Sequence, residues 1–157
     1  MVCEKLRHTA NLDLIDLNDY NIHPYDYDHP NLNDDFIPLI EKTLEYDLII
    51  FATPVYWYST STQLKKFIDR FSDLVRVRKD LGSTFQGKTL GAISCSSEAR
   101  VLPYFEGPFM DTANYMKMRY AGYLHTYCLQ DLVIPDELAE QIESFGQKLK
   151  KFLTNDD

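Results

Sequence analysis

The sequence predicts an α/β fold, in which a parallel sheet is flanked by helices. Short apolar runs bounded by turn residues alternate with longer amphipathic segments, as in βαβ units. The run at 48–52 is apolar throughout, which is typical of a strand buried on both faces of a parallel sheet. With 157 residues, 45% of them hydrophobic, the chain has the size of one domain with one sizeable core. We therefore expect a single domain over 1–157.

The first predicted elements are a strand over 12–17, a long loop and a helix. Asn, Asp, Pro and Tyr dominate the stretch 18–33, which favours turns over regular structure. Its acidic side chains are expected to be solvated: Asp26, Asp28, Asp34 and Asp35. A helix should begin after Asn33, since apolar residues then recur on one face up to Leu44, and Pro38 is tolerated in a first turn.

The segment 48–75 is the most informative part of the chain. The strand run at 48–52 ends at Thr53-Pro54 and leads into the aromatic loop 55–58. The polar stretch 59–62 then offers side-chain oxygens that can cap a helix. Apolar residues follow at three- and four-residue steps, which predicts one helix: Leu64, Phe67, Ile68, Phe71, Leu74 and Val75.

The second half of the chain repeats this rhythm. A charged loop is predicted over 76–87, and a strand over 90–94 leads into the polar stretch 94–97. Apolar periodicity then predicts three further elements in chain order: a helix over 109–118, a strand over 120–128 and a closing helix over 136–153.

Composition excludes several classes of function. The net charge of −8 opposes binding to nucleic acid or to an anionic membrane, because both carry the same sign. The sequence has neither an apolar run of membrane-spanning length nor a signal-peptide pattern at its start. We expect a soluble, cytoplasmic protein. Three cysteines without CxxC spacing suggest neither a disulfide framework nor a zinc site.

Other reactive residues have simpler interpretations. His23 and His29 lack the spacing of metal ligands, so no metal site is predicted. Cys95 at a strand end is expected to be a small buried residue rather than a redox thiol. The serines of 94–97 lack a nucleophile-elbow motif and a histidine placed by sequence to activate them, which argues against hydrolysis.

The aromatic loop is the strongest candidate for a ligand site. It follows a predicted strand, and ligands of open parallel sheets bind at the carboxyl ends of strands. Tyr56 and Trp57 beside free amides suit a flat ring that accepts and donates hydrogen bonds. The alternative is that both aromatics cap a core or fill a subunit contact.

Three segments together resemble the flavodoxin-like NAD(P)H-dependent FMN and quinone reductases. They are 47–69 with its Thr-Pro-Val-Tyr-Trp loop, 87–97 with its basic turn, strand and polar loop, and 108–122; overall the resemblance covers most of 12–150. It implies a three-layer flavodoxin-like fold that holds FMN at the strand ends. The cofactor-binding residues that it implies lie in two loops: Thr53, Pro54, Val55, Tyr56, Trp57, Ser94, Ser96 and Ser97.

The resemblance also implies chemistry and partners. NAD(P)H would supply electrons, and a quinone or another small molecule would accept them. No catalytic side chain is predicted, because hydride transfer between stacked rings mainly needs orientation. A homodimer is implied, since family sites are commonly completed by the partner subunit.

The chain departs from the family pattern at its start. The family begins with a strand and a phosphate-binding loop that often ends in Gly-Asn-Thr, and neither occurs in this sequence. Residues 2–9 are spaced like the end of the first helix, and 12–17 matches the second strand. We therefore expect a four-stranded sheet in which 12–17 pairs with 48–53, and a weakened affinity for FMN.

Two other functions compete with the reductase. One is an acidic electron carrier that uses a flavin as flavodoxins do. The other is a truncated, flavin-free remnant of the fold that acts only in protein association.

Overall fold

We describe the fold from a computed structural model, which covers residues 12–127 and 135–154. The strands within this part of the chain are β1 (Leu48–Pro54), β2 (Thr89–Ser96) and β3 (Arg119–Tyr127). The α-helices are α1 (Phe36–Thr43), α2 (Thr62–Asp69), α3 (Phe71–Arg76), α4 (Lys79–Ser83), α5 (Gly107–Tyr115) and α6 (Asp136–Thr154). Short 3-10 turns cover Leu17–Asp19 and Pro103–Phe105.

The three strands form one parallel sheet in the order β1-β2-β3. Leu48 pairs with Thr89, which in turn pairs with Arg119, so all three strands start at one edge. A bulge in β3 shifts the register, because Leu90 pairs with Tyr120 while Gly91 pairs with Gly122. Gly122 takes the positive φ of 106° that this irregularity requires.

Helices cover both faces of the sheet, as the sequence predicts for a parallel arrangement. The larger apolar cluster lies on one face, where side chains such as Phe51 and Ala92 meet α1, α2, α3 and α5. The smaller cluster lies on the other face, where Ala121 and Leu124 of β3 meet α6. None of the helices in the described ranges has the length and apolar character needed to cross a bilayer.

The predicted strand over 12–17 is wrong. Residues 12–16 have no regular structure, and a 3-10 turn follows at Leu17–Asp19. The Asp16 carboxylate accepts hydrogen bonds from the main chain and side chain of Asn18, and the Asp16 carbonyl accepts from the Asp19 amide. The hydrogen bonds of Asp16 with Asn18 and Asp19 therefore favour a turn here, and the predicted strand does not form. Leu14, in the middle of the predicted strand, is 73% exposed.

The sheet consequently has three strands rather than four within the described ranges, and 12–17 does not pair with β1. The predicted helix remnant over 2–9 lies outside the described residues. The other strands and the helices at 36–43, 107–115 and 136–154 confirm the sequence-based elements, with boundaries shifted by a few residues.

Two helix predictions need correction. The single helix predicted up to Val75 is interrupted at Arg70, which separates α2 from α3. The charged loop predicted over 76–87 contains the short helix α4. Gly82 of α4 lies against α3, and a Cβ at that position would be only 2.4 Å from the Leu74 carbonyl oxygen. This close approach turns the chain back where charge alone suggested an open loop.

Arg70 lies at the centre of a buried ionic cluster. Its side chain is about 1% exposed and forms ion pairs of 2.5 Å with Asp34 and Asp73. The guanidinium also donates to the carbonyls of His23 and Asn31, at 3.1 and 3.0 Å. The expectation that Asp34 is solvated is therefore wrong. Its burial is tolerated because Arg70 supplies the opposite charge and hydrogen bonds.

The cluster keeps Asp34 ionised. Burial raises the pKa of this carboxyl, but hydrogen bonds from Arg70 and from the amides of His23 and Phe36 outweigh burial, so the pKa lies below its ordinary value. Asp73 is also engaged by His29, whose Nδ1 lies 2.7 Å from Oδ1. The long loop 20–35 is thus fixed to the α2–α3 junction by polar contacts.

Removing Arg70 should therefore be costly. Arg70→Met would leave two buried carboxylates without their cation, and we expect the free energy of unfolding to fall by about 3–5 kcal/mol. Urea denaturation measures this change. The control is Lys65→Ala, which removes an exposed ion pair with Asp69 and should cost about 0.5 kcal/mol or less. Equal effects of the two substitutions would contradict the proposed importance of the cluster.

The lowered pKa of Asp34 gives a pH prediction. A carboxyl with a depressed pKa in the folded state contributes stability that is complete above its ordinary pKa of 3.8. That contribution is lost as the pH falls through the lower folded-state pKa. Wild type should therefore lose stability more steeply than Asp34→Asn as the pH is lowered below 3.8. Denaturation curves for both proteins at several acid pH values test this, and parallel curves would count against it.

Candidate functional site

The two loops singled out by sequence leave the sheet side by side. Thr53 pairs with Ser94 and Pro54 with Cys95 in the parallel register of β1 and β2. The Val55 amide then donates to the Cys95 carbonyl at 2.8 Å, which extends the pairing one residue into the loop. The aromatic loop, 55–58, and the segment that carries the serines, 94–97, which we call the serine loop, therefore begin at the same carboxyl edge, where parallel sheets place their ligands.

The aromatic loop forms a tight, strained turn. Tyr56 and Ser59 exchange two main-chain hydrogen bonds of 2.9 and 3.0 Å, so Trp57 and Tyr58 form a two-residue hairpin loop. Both central residues have positive φ, 47° for Trp57 and 64° for Tyr58. This is the pattern of a type I′ turn, which normally takes Asn-Gly. Bulky side chains at these positions cost stability, as is common at functional sites.

The turn exposes its aromatic side chains. Trp57 is 93% exposed, and Tyr56 and Tyr58 are 61% and 65% exposed. Pro54 has no amide hydrogen, and the amides of Val55 and Tyr56 are used within the fold. Among the described residues, the amides of Trp57 and Tyr58 have no main-chain acceptor. A ligand at this loop would therefore meet the amides at the tip of the turn rather than those of 54–56.

Thr53 supports the turn from inside the protein. Its buried hydroxyl donates to the Pro54 carbonyl and accepts from the Ser61 amide, both at 2.9 Å. Ser61 in turn caps α2, since its Oγ accepts from the Leu64 amide at 3.3 Å. The predicted start signal of this helix is thereby confirmed. Thr60 Oγ1 is buried without a hydrogen-bond partner in the described part of the chain.

The serine loop divides into buried and exposed groups. Ser94 is fully buried, whereas Ser97 is exposed. Ser96 is half-buried and its hydroxyl donates to the Glu98 carbonyl at 2.9 Å. Cys95 is exposed, so the expectation of a buried cysteine is wrong. Its side chain points to the face opposite Ser94, because successive residues of a strand alternate between faces.

His125 is the residue that sequence reasoning missed. It pairs with Ser94 in the register of β2 and β3, and its Nδ1 lies 2.7 Å from Ser94 Oγ. Its Nε2 donates to the Glu98 carbonyl at 2.9 Å. The sequence shows that Tyr123, His125 and Tyr127 alternate along one strand. It does not show that His125 pairs with Ser94 of the neighbouring strand.

Metal ligands are not grouped in the described ranges, where no three His, Cys, Asp or Glu side chains could share an ion. His29 pairs with Asp73 in the ionic cluster instead. A cavity of about 570 Å³ lies at the carboxyl end of β3, between His125, Tyr127 and α6, and Ala99 also lines it. Another cavity, of about 460 Å³, lies at the opposite edge near Lys88 and Arg119.

Comparison with known proteins identifies a family. The family model for NADPH-dependent FMN reductase matches residues 1–102. YwqN of Bacillus subtilis (strain 168), named as an NAD(P)H-dependent FMN-containing oxidoreductase, is 32% identical over 98 residues, which are 59% of this chain and 54% of that protein. The chain therefore spans about half the length of the curated relative it matches.

Solved structures confirm the flavodoxin-like fold class. The Trp repressor binding protein from Bacillus subtilis has a TM-score of 0.52 and 24% identity, over 76% of each chain. An NADPH-quinone reductase from P. pentosaceus has a TM-score of 0.54 and 24% identity, over 73% of this chain and 74% of that one. At this level of identity the likeness shows the fold alone.

The strain in the aromatic turn can be measured. Tyr58→Gly removes a side chain from a left-handed position, which should outweigh the added flexibility of the unfolded chain. We expect the free energy of unfolding to rise by up to about 1 kcal/mol. The control is Tyr115→Gly, which removes another exposed tyrosine from the last position of α5 and should destabilise. Destabilisation by both substitutions in thermal unfolding would contradict a strained turn.

Proposed function

The chain belongs to the NADPH-dependent FMN reductase family, and on that basis we propose that it is an NAD(P)H-dependent FMN oxidoreductase. Electrons would pass from the nicotinamide to a quinone or another small acceptor. The observation that carries this proposal is the pairing of the strained aromatic turn with the serine loop at one carboxyl edge. The strain is unfavourable for folding, so a binding role explains its presence better than a packing role.

The residues at this edge fit the ring of FMN. Trp57 and Tyr58 offer aromatic surfaces and amides without main-chain acceptors in the described ranges, and Ser97 offers an exposed hydroxyl from the neighbouring loop. Thr60 Oγ1 is a buried polar atom without a partner in the same ranges and could pair after a small shift of the turn. These groups match a flat molecule with polar edges.

The proposed reaction makes few demands on side chains. FMN held at this edge would supply the two-electron redox chemistry between the nicotinamide and the acceptor. The protein would hold the ring against the exposed aromatics Tyr56–Tyr58 and the serine loop and leave one face free for the two substrates in turn. Thr53 and Ser94 are buried, so we propose that they support these loops while Tyr56, Trp57 and Ser97 contact the ligands.

Three further proposals extend the assignment. A single domain over 1–157 and a cytoplasmic location are supported by the composition of the chain. A homodimer is supported by the family and by the exposed aromatics at the site, which a partner subunit could cover. Sedimentation of the purified chain would measure the oligomeric state directly.

The chain has one tryptophan, Trp57, which makes it a specific reporter. FMN bound at the proposed site should quench its emission in a saturable way, because the indole would lie beside the flavin. The control is Tyr104→Ala, which removes an exposed aromatic side chain from the 3-10 turn at Pro103–Phe105 and should leave the FMN titration unchanged. Absence of quenching at high FMN would overturn the assignment. Quenching without NAD(P)H oxidation in the presence of a quinone would favour an electron carrier.

The affinity for FMN should depend mainly on contacts with its isoalloxazine ring. The proposed contacts involve no group aimed at the phosphate, and a phosphate nest can contribute several charge-assisted hydrogen bonds of roughly 1.5–3 kcal/mol each. Riboflavin, which lacks the phosphate, should therefore bind this chain within about threefold of FMN, which is well under the 1.4 kcal/mol of a tenfold difference. Calorimetry with both ligands tests this. A strong preference for FMN would show that the chain does bind the phosphate.

A further inference from the structure

A continuous chain of hydrogen bonds links the sheet to the serine loop. It starts at the Tyr123 hydroxyl on β3, passes to the hydroxyl of Ser94 on β2 and continues to His125 Nδ1 at 2.7 Å. From His125 Nε2 it reaches the Glu98 carbonyl at 2.9 Å, and Ser96 Oγ lies 3.3 Å from the same nitrogen. His125 therefore stands between the rigid sheet and the loop.

The chemistry of the ends sets the direction of this chain. A carbonyl oxygen only accepts, so Nε2 carries the imidazole proton. The other nitrogen of the neutral ring then accepts from Ser94, whose oxygen is left to accept from Tyr123. All hydrogens point from Tyr123 towards His125 and from His125 towards the loop. Glu98 O receives two donors, because the Ser96 hydroxyl also donates to it at 2.9 Å.

Packing holds the inner end of this series of hydrogen bonds, at Tyr123 and Ser94, in place. Ser94 is fully buried, and the Tyr123 ring is 6.3 Å from Phe109 in a stacked arrangement and 5.9 Å from Phe105. Burial raises the pKa of Tyr123 despite its hydrogen bond with Ser94, which keeps the phenol a donor. The position of the imidazole is therefore determined by packed residues rather than by the loop.

The outer end has few other supports. Residues 97–102 form bends and irregular structure between β2 and the turn at Pro103–Phe105. Within them, the Glu98 amide donates to Ser96 Oγ at 3.1 Å, so Ser96 and Glu98 close a local ring of hydrogen bonds. Among the described residues, His125 is the side chain of another strand that reaches this ring.

We propose that His125 is the positioning residue of the loop Ser96–Glu98, which it locks in the conformation that borders the flavin. This inference rests on the proposed function, because that proposal places the loop beside the ring. His125 would act through the main chain of Glu98 and the hydroxyl of Ser96, without touching the flavin itself. It would set how tightly and in what orientation the ring is held.

Two substitutions separate hydrogen bonding from packing. His125→Phe keeps an aromatic ring but removes both hydrogen bonds. His125→Gln places an acceptor oxygen and a donor nitrogen on one carbon, so it can accept from Ser94 and donate to Glu98. If His125 positions the loop, the Phe variant should lose the lock and the Gln variant should restore it.

Hydrogen exchange of the peptide covering 96–102 tests the lock without any flavin. Exchange should be faster in His125→Phe than in wild type and near wild type in His125→Gln. Quenching of Trp57 should then show about tenfold weaker flavin binding for the Phe variant, as expected for the loss of a hydrogen bond or two, and about threefold or less for the Gln variant.

Unchanged exchange in the Phe variant would overturn the inference. Faster exchange with unchanged flavin affinity would also overturn it, because the contact would then be structural only. If His125→Gln shows the same faster exchange and weaker flavin binding as His125→Phe, the inference is also overturned, because the packing of the imidazole rather than its hydrogen bonds would then hold the loop. Failure of wild type to bind either flavin would overturn the proposed function itself, while the exchange measurement still decides whether His125 locks the loop.

Discussion

The position of one buried cation organises much of this fold. Arg70 stands where α2 ends and α3 begins, and its guanidinium lies 4.7 Å from the centre of the Phe36 ring of α1. Asp34 and Asp73 neutralise it, and two loop carbonyls complete its hydrogen bonds. A charge this deeply buried is stable only when it is paired and hydrogen-bonded. The irregular loop 20–35 supplies several of these partners, so it has one favourable path. The loop in turn leads directly into α1, which packs over the larger core.

Sequence reasoning found the elements whose signal is local. The apolar run of β1, the cap at Ser61 and the periodicity of the closing helix all depend on neighbours within a few positions. It failed where the deciding partner is remote. Local pattern predicts Asp34 on the surface, because its buried partner, Arg70, lies 36 residues later in the chain. The strand predicted at 12–17 from its match to the family's second strand does not form, and no ladder partner lies beside this segment in the described ranges.

The candidate site shows the same division. Its two loops were predicted because each follows a strand, and parallel strands bring their carboxyl ends to one edge. The strain at Trp57 and Tyr58 was not predictable, because their residue types oppose the conformation that they adopt. Nor was His125, since a strand's own pattern does not say which residue of the neighbouring strand it faces.

That facing depends on the bulge in β3. Before it, Tyr120 shares a face with Leu90; after it, Tyr123 shares that face with Ala92, three positions later along β3 but two along β2. The bulge shifts the register of β3 by one residue. It therefore places His125, and not Leu124, beside Ser94. If the bulge is kept, one extra residue near Gly122 would place Leu124 beside Ser94, and one residue fewer would place Thr126 there, without altering any residue at the site edge. In this fold the chemistry of the carboxyl edge can thus change through backbone length as well as through substitution.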